Sequence, residues 1–182
     1  MHFDAHADTA TECFGVALSH GTPMRRLLAD GLVDPGRYVQ IGLHGYWPGQ
    51  DVLAWQRELG VREIHMSELA RRGIGAVVEE AVAGLGEGPV FMTIDVDVLD
   101  PAFAPGTGTP EPGGMTSHDL LWACRALAER LQLVGAEVVE VCPAAVGTVD
   151  ITALVASRIV HELATGVALR RAAAAHVPSA IR

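Results

Sequence analysis

The stretch from Val90 to Gly114, VFMTIDVDVLDPAFAPGTGTPEPGG, constrains this chain more than any other part of it. It begins with an apolar run that predicts a buried strand over Val90–Asp97. Because alternate side chains of a strand point to one face, Asp95 and Asp97 are expected to lie side by side. Two such carboxylates are costly to bury unless a positive charge lies between them. The glycines and prolines that follow do not suit a helix or strand interior, and they predict a shaped loop.

A second cluster of metal-binding residue types lies at the start of the chain, in MHFDAHAD. Asp4, His6 and Asp8 are spaced two apart, so an extended backbone would place all three on one face. If this strand and the strand over Val90–Asp97 are neighbours in a parallel sheet, their ends bring together four carboxylates and one imidazole. Two divalent cations would relieve the repulsion, and a ligand set without thiolates favours Mn²⁺ over structural Zn²⁺. The alternative is a pair of solvated acidic strand ends.

Length and composition favour a single globular domain over residues 1–182. The formal charge of −9 argues against nucleic-acid binding and mildly favours cationic ligands. No apolar run reaches the roughly twenty residues of a membrane span, and the N-terminus has no signal-peptide pattern. The three cysteines are odd in number and lack a CxxC spacing, which favours a reducing cytoplasm.

Strands alternate with helices along the chain, which predicts a three-layer α/β/α fold with a parallel sheet. After an irregular segment over Thr9–Gly21, further strands are expected at Tyr38–Leu43, Val61–Met66 and Leu133–Val141. Helices are expected from Thr22-Pro23 to Gly31, at Asp51–Leu59, in a turn capped by Ser67, at Ile74–Leu85, from Thr116 to about Arg130, and from about Ile151 to Ala174. In such sheets ligands bind at the carboxyl ends of the strands, where both acidic clusters would lie.

The motifs DAHAD and IDVDVLDPAFAPGTGTPEPGG together resemble the ureohydrolases, a family that includes arginase, agmatinase and guanidinobutyrase. The likeness continues through SHGTPMRRL, VQIGLHGYWPG and VVEVCP, and is strongest to bacterial agmatinases. It implies an arginase-like fold, a binuclear Mn²⁺ centre, a small cationic guanidino substrate and a homo-oligomer. Agmatine, hydrolysed to putrescine and urea, is the leading substrate, followed by guanidinobutyrate or another guanidino compound.

The resemblance also implies individual roles. Asp4 and Asp95 would each bridge both Mn²⁺ ions. His6 and Asp97 would complete the shell of one ion. Asp8 would bind the other ion and would help to stabilise the tetrahedral intermediate or move its proton.

Two further residues take roles from the resemblance. His20, in SHGT, matches a histidine that shuttles protons, and Glu140, in VVEVCP, matches a glutamate that binds the guanidinium group. Considered without the family, His20 fits an ordinary loop residue and Glu140 an ordinary acid at a strand end. The other histidines, His2 among them, are expected at surface or satisfied polar positions.

The chain also departs from the family pattern. Ureohydrolases carry another metal-binding histidine in a GGDH motif upstream of DAHxD, whereas Met1 already lies inside that strand. The 182 residues therefore resemble the C-terminal part of the family domain without its N-terminal strands, and the ion at Asp8 would lack that histidine. His44, Glu137 and the loop PAAVGTVDIT differ from the usual agmatinase residues, which weakens the assignment to agmatine more than the assignment to the family.

Three functional interpretations remain open at this point. The first is a binuclear Mn²⁺ hydrolase of a guanidino compound. The second is a single-metal Zn²⁺ hydrolase of the deacetylase type, against which the additional acids Asp8 and Asp97 argue. The third is a degenerate or truncated, catalytically impaired ureohydrolase-like protein that binds metal poorly or serves as an interaction module.

Overall fold

The computed structural model describes residues 1–142 and 150–176, so most of the loop PAAVGTVDIT lies outside the described residues. Its five strands are β1 (His2–Phe3), β2 (Val39–Leu43), β3 (Arg62–His65), β4 (Pro89–Asp95) and β5 (Gln132–Val139). They form one parallel sheet in the order β3-β2-β1-β4-β5. The two strands that carry the acidic clusters, β1 and β4, are therefore hydrogen-bonded neighbours at the centre of the sheet.

Six α-helices connect or follow the strands. They are α1 (Pro23–Ala29), α2 (Gln50–Glu58), α3 (Met66–Arg72), α4 (Ile74–Leu85), α5 (Ser117–Arg130) and α6 (Ile151–Ala175). Thr116 caps α5, since its side chain accepts a hydrogen bond from the backbone N–H of Asp119. The predicted cap at Ser67 is wrong, because β3 runs directly into α3, which begins at Met66 with His65 as its N-cap.

Helices pack on both faces of the sheet, which confirms the predicted three-layer α/β/α fold. On one face, Val90, Met92 and Ile94 of β4 enter the main hydrophobic core together with residues of α3, α4, α5 and α6. The other face is covered by α1 and α2, where Met24 and Leu28 pack in a smaller cluster. Each fully buried aliphatic side chain contributes about 1.5–3 kcal/mol, so the apolar alternation of β4 fixes which face it presents to each layer.

The last helix, α6, is long and apolar enough by length and composition to cross a membrane, although the sequence analysis found no such run. One side of α6 packs along α5. A Cβ atom at Gly166 would lie 2.6 Å from Cβ of Ala128, so the two helices approach closely there. Glu162 of α6 forms ion pairs with Arg125 and Arg158. These contacts are those of a helix that packs one side against a protein core.

Candidate metal centre

The first acidic segment of the site follows β4. The predicted strand over Val90–Asp97 is wrong at its end, because β4 stops at Asp95 and a 3₁₀ turn covers Val96–Val98. The carboxylate of Asp95 accepts a hydrogen bond of 2.8 Å from the backbone N–H of Asp97, which stabilises this turn. The two carboxylates therefore do not share one face of a strand.

The turn directs Asp97 toward the start of the chain. Its Oδ2 lies 3.0 Å from Nδ1 of His6, and its Oδ1 accepts a hydrogen bond of 3.1 Å from the backbone N–H of Ala5. Thr109, in the glycine- and proline-rich loop, donates its hydroxyl to Oδ2 of Asp97 at 3.1 Å. Asp97 thus links β4, the loop that follows it and the DAHAD segment.

The second acidic segment follows β1, and it is not an extended strand as predicted. β1 ends at Phe3, and Oδ1 of Asp4 accepts a hydrogen bond of 2.6 Å from the backbone N–H of His6, which folds the chain into a turn. Asp8 has φ +54, a left-handed conformation that few non-glycine residues adopt. Even so, Asp4, His6 and Asp97 place one possible ligand atom each within 4.8 Å of the others.

These segments border a cavity of about 510 Å³. Its lining residues are His6, Asp8, Glu12, Cys13, Phe14, His20, Trp47, Asp95, Asp97, Thr109, Pro110, Glu111 and Glu140. Six of them are carboxylic acids and two are histidines, and no lysine or arginine lines the cavity in the described part of the chain. A cavity with this lining favours a cationic ligand.

The pKa values of the carboxyl groups at the site are shifted in opposite directions. Burial, and then the negative charges of Asp4 and Asp97, raise the pKa of Asp95 far above its ordinary value. Burial and the charge of Asp4 likewise raise the pKa of Asp8. Burial opposes ionisation of Asp4 too, but the adjacent His2 and hydrogen bonds from His6 hold the pKa of Asp4 at about 2. Four clustered acids that cannot all ionise together are a site where divalent cations replace protons.

One atom favours a cation at this site. Oδ2 of Asp4 is buried and makes no well-aligned hydrogen bond with any described residue, although Nε2 of His2 approaches it to 2.7 Å. The approach is therefore a close electrostatic contact rather than an aligned hydrogen bond. An unsatisfied buried carboxylate oxygen is costly, and a metal ion is the partner that carboxylate and imidazole ligands both accept.

The two remaining predicted residues lie on the cavity wall. His20 is exposed, and its Nε2 is 3.9 Å from Sγ of Cys13. Glu140 follows β5 directly and has φ +61. The structure therefore brings both to the same cavity as Asp8 and Asp95. Their chemical roles stay predictions.

Three residues near the site were given no functional role in the sequence analysis. Glu111, in the glycine- and proline-rich loop, has its Oε1 3.7 Å from Nε2 of His6. Trp47 lines the cavity, whereas its neighbour Tyr46 is exposed. His2 is buried directly behind Asp4. His2 precedes Asp4 by two residues, just as Asp4 precedes His6. This spacing is the signal in the sequence that could have predicted His2 near the site.

Comparison with known proteins shows which family this chain resembles. The family model described as the arginase family matches residues 1–166. Guanidinopropionase of Pseudomonas aeruginosa is 50% identical over 169 residues, which cover 90% of this chain and 51% of that protein. Agmatinase of Escherichia coli is 38% identical over 163 residues, which cover 90% of this chain and 49% of that protein. The solved structure of proclavaminate amidinohydrolase from Streptomyces clavuligerus has a TM-score of 0.84 at 38% identity, covering 93% of this chain and 55% of that one.

The matched region contains the acidic segments after β1 and β4, the loop between β4 and α5, and most of α6. The chain spans about half the length of the curated relatives it matches. The likeness inferred from the two acidic motifs is confirmed over nine-tenths of the chain. This chain belongs to the arginase family.

Proposed function

We propose that this chain forms the binuclear Mn²⁺ centre of a hydrolase that releases urea from a small guanidino compound, with agmatine as the leading substrate. The observation that carries the proposal is the cavity beside the ends of β1 and β4, where His6, Asp8, Asp95 and Asp97 meet. Buried carboxylates shared between two strands are a costly arrangement for a structural role alone.

The proposed ligand assignment is the one that the family resemblance implies. Asp4 and Asp95 would be shared by the two ions, His6 and Asp97 would bind one of them, and Asp8 would bind the other. When bound, the ions would supply charge neutralisation and Lewis-acid activation of water. The mixture of carboxylate and imidazole without thiolate supports Mn²⁺ over a structural Zn²⁺ site.

The substrate cation would be held by the acidic wall of the cavity. Glu140 lies where β5 ends, and a carboxylate can accept two hydrogen bonds from the planar face of a guanidinium group. Phe14 and Trp47 add apolar surface to the same wall, which suits the methylene chain of a guanidino compound.

Proton movement would use two groups of this chain. Asp8 lines the cavity, so its carboxylate could accept a proton from the reacting group and return it. His20 is exposed at the cavity wall, and an imidazole in that position can exchange protons with solvent. Asp8 would therefore handle the proton at the reacting centre, and His20 would carry it to and from water.

The far end of the substrate decides between two candidate substrate classes. Agmatine ends in an ammonium group, which suits a cavity wall that carries acids and, among its described residues, neither lysine nor arginine. Guanidino acids end in a carboxylate, which this wall would repel. The 50% identity to a guanidinopropionase nevertheless favours a guanidino acid as the second candidate.

Urea release from agmatine, 3-guanidinopropionate and 4-guanidinobutyrate, measured with and without added Mn²⁺, tests the proposal. The 182-residue chain is expected to release urea only with Mn²⁺, and fastest from agmatine. Glu140→Gln should raise KM sharply, whereas the matched change Glu137→Gln, outside this cavity, should not. A chain that contains only one Zn²⁺, or that binds Mn²⁺ but releases urea from none of the three compounds, would contradict the proposal.

The proposal also includes a cytoplasmic location and assembly of the protein into a homo-oligomer. Cys13, Cys124 and Cys142 are all free thiols, which is usual in a reducing compartment. β5 lies at the edge of the sheet and exposes 65% of Val134, so this edge has apolar surface that another polypeptide could cover. Sedimentation of the purified chain tests this part of the proposal, which a monodisperse monomer would contradict.

A further inference from the structure

A chain of buried polar side chains leads to the backbone on both sides of Asp8. It consists of Glu63 of β3, Gln56 of α2, Gln40 of β2 and Thr9, and none of the roles above uses any of them. Gln40, Gln56 and Thr9 are 0% exposed, and Glu63 is 7% exposed. Buried polar groups are costly unless they are hydrogen-bonded, so the partners of these side chains define what the chain of contacts does.

The hydrogen bonds of this chain run in one direction. The amide nitrogen of Gln40 donates to the carbonyl oxygen of Ala7 at 2.7 Å, and a carbonyl oxygen can only accept. The amide oxygen of Gln40 therefore faces Gln56, whose amide nitrogen donates to it at 2.8 Å and to Oε1 of Glu63 at 2.6 Å. The amide oxygen of Gln56 accepts the hydroxyl group of Thr9 at 2.7 Å. An acceptor at each end thus fixes the orientation of both amide groups.

The end of the chain at Glu63 is fixed by regular structure. Nε of Arg57, in α2, donates to Oε2 of Glu63, in β3, at 2.7 Å. Gln40 lies in β2, which is paired on both sides, by β1 and β3. Side chains that project from helices and strands hold a position more precisely than side chains on loops.

The two residues held at the other end flank Asp8. Ala7 precedes it and Thr9 follows it. The carbonyl oxygen of Asp8 accepts the backbone N–H groups of Met24 and Arg25, in α1, at 3.1 and 3.3 Å. Asp8 has φ +54, and a residue with a Cβ atom keeps such a left-handed conformation only where its surroundings over-determine it. The contacts on each side of Asp8 supply that constraint.

We propose that Gln40, Gln56 and Thr9 are positioning residues for Asp8, which hold the backbone of residues 7–9 so that the carboxylate of Asp8 faces the cavity. The inference rests on the proposed function, in which Asp8 binds one ion and handles the proton. None of the three side chains lines the cavity, so they act through Asp8 and do not touch the substrate.

Thr9→Val tests the inference with a small change, because valine has about the shape of threonine and lacks the hydroxyl group. It should weaken one of the two Mn²⁺ binding steps about 10-fold in calorimetry and leave the other unchanged. Thr9→Ser is the rescue variant, since it keeps the hydroxyl group that donates to Gln56, and it should bind both ions as the wild type does.

Two further variants separate positioning from a general loss of stability. Gln40→Met removes the hydrogen bond to the carbonyl oxygen of Ala7, so it should weaken the same binding step, and it serves alone if Thr9→Val does not fold. Val78→Ala is the matched control, because Val78 is 0% exposed in α4 and lies outside the cavity and the chain of contacts. It should lower the Tm and leave both Mn²⁺ binding steps unchanged.

Amide hydrogen exchange of the metal-free protein tests the positioning without any ion. In Thr9→Val and Gln40→Met, the N–H groups of Met24 and Arg25 that donate to Asp8 should exchange at least about 10-fold faster than in the wild type. The N–H of Thr93, which donates to the carbonyl oxygen of Met1 in the centre of the sheet, should keep its exchange rate.

The inference is overturned if Thr9→Val and Gln40→Met change neither the exchange rates nor the binding of Mn²⁺. Equal weakening of the binding step in Thr9→Ser or in Val78→Ala would also overturn it, since the hydroxyl group would then have no specific part. A wild type that binds no Mn²⁺ would overturn the proposed function instead, and the exchange rates of the metal-free variants would still decide whether these side chains hold Asp8.

Discussion

Replacing Asp95 with asparagine should make the metal-free protein more stable while removing its ability to hold two ions. Asp95 is 4% exposed at the end of β4. Asparagine has the same shape, and its Oδ1 can still accept the backbone N–H of Asp97, now bonded at 2.8 Å. The substitution therefore removes the ionisable group and leaves the turn in place.

The magnitude follows from the linkage between ionisation and folding. The ordinary pKa of the group is 3.8, and burial with the charges of Asp4 and Asp97 raises the pKa of Asp95 well above 7 in the folded chain. Between these values the unfolded chain releases a proton that the folded chain keeps. The free energy of unfolding therefore falls as pH rises. From pH 3.8 to about pH 7 the loss approaches about 4 kcal/mol, at 1.36 kcal/mol for each pH unit. The Asp95→Asn variant has no ionisable group at this position, so its free energy of unfolding does not fall for this reason.

Urea unfolding in the presence of a chelator measures this difference. Near pH 4 the wild type and Asp95→Asn should have similar free energies of unfolding, and near pH 7 the variant should be more stable by up to about 4 kcal/mol. Saturating Mn²⁺ should reverse the order, because only the wild type has both shared carboxylates to bind the ions and gain stability from them.

The control is Asp30→Asn, which removes an exposed carboxyl group after α1 and should leave the pH dependence unchanged. The reasoning is refuted if wild type and Asp95→Asn lose stability in parallel between about pH 4 and pH 7. It is also refuted if Mn²⁺ stabilises both proteins equally.

Two further substitutions test the local structure. Gly45→Ala should weaken Mn²⁺ binding about 10-fold in calorimetry, because the new Cβ would lie 2.7 Å from Cδ2 of His6 and displace that ring. Its control, Gly84→Ala in α4, has open space and should raise stability by about 0.5–1 kcal/mol without changing Mn²⁺ affinity. Thr116→Ala removes the acceptor for the N–H of Asp119 and should cost about 1 kcal/mol, seen as a lower Tm at unchanged Mn²⁺ affinity.

The regular elements could be predicted because their signals are local. The helix expected at Ile74–Leu85 has those bounds in the structure, since Gly73 and Gly86 flank it with positive φ angles of 77° and 58°. Such angles suit glycine and end a helix at little cost. The parallel order of the sheet follows from the alternation of strands and helices, which requires crossover connections.

The backbone of the site could not be predicted from spacing alone. The period-of-two argument assumed that strands continue through Asp97 and Asp8. In each segment one carboxylate, that of Asp4 or that of Asp95, accepts a hydrogen bond from the backbone N–H two residues later. This hydrogen bond folds the chain into a turn, so the strand does not continue. The acids still meet because β1 and β4 are parallel neighbours, and parallel strands end at the same edge of the sheet. Adjacency of strands, rather than the face of each strand, is what gathers the site.

The same adjacency divides the site into two parts of unequal stability. The proposed metal ligands follow β1 and β4, and both of these strands are paired on two sides. Glu140 follows β5, which is paired on one side only and has no lysine or proline to protect its open edge. Edge strands open locally at lower free energy than central ones. Metal binding in this chain should therefore depend on the central strands, whereas the proposed contact between Glu140 and a guanidinium group should depend on how well the edge at β5 is covered.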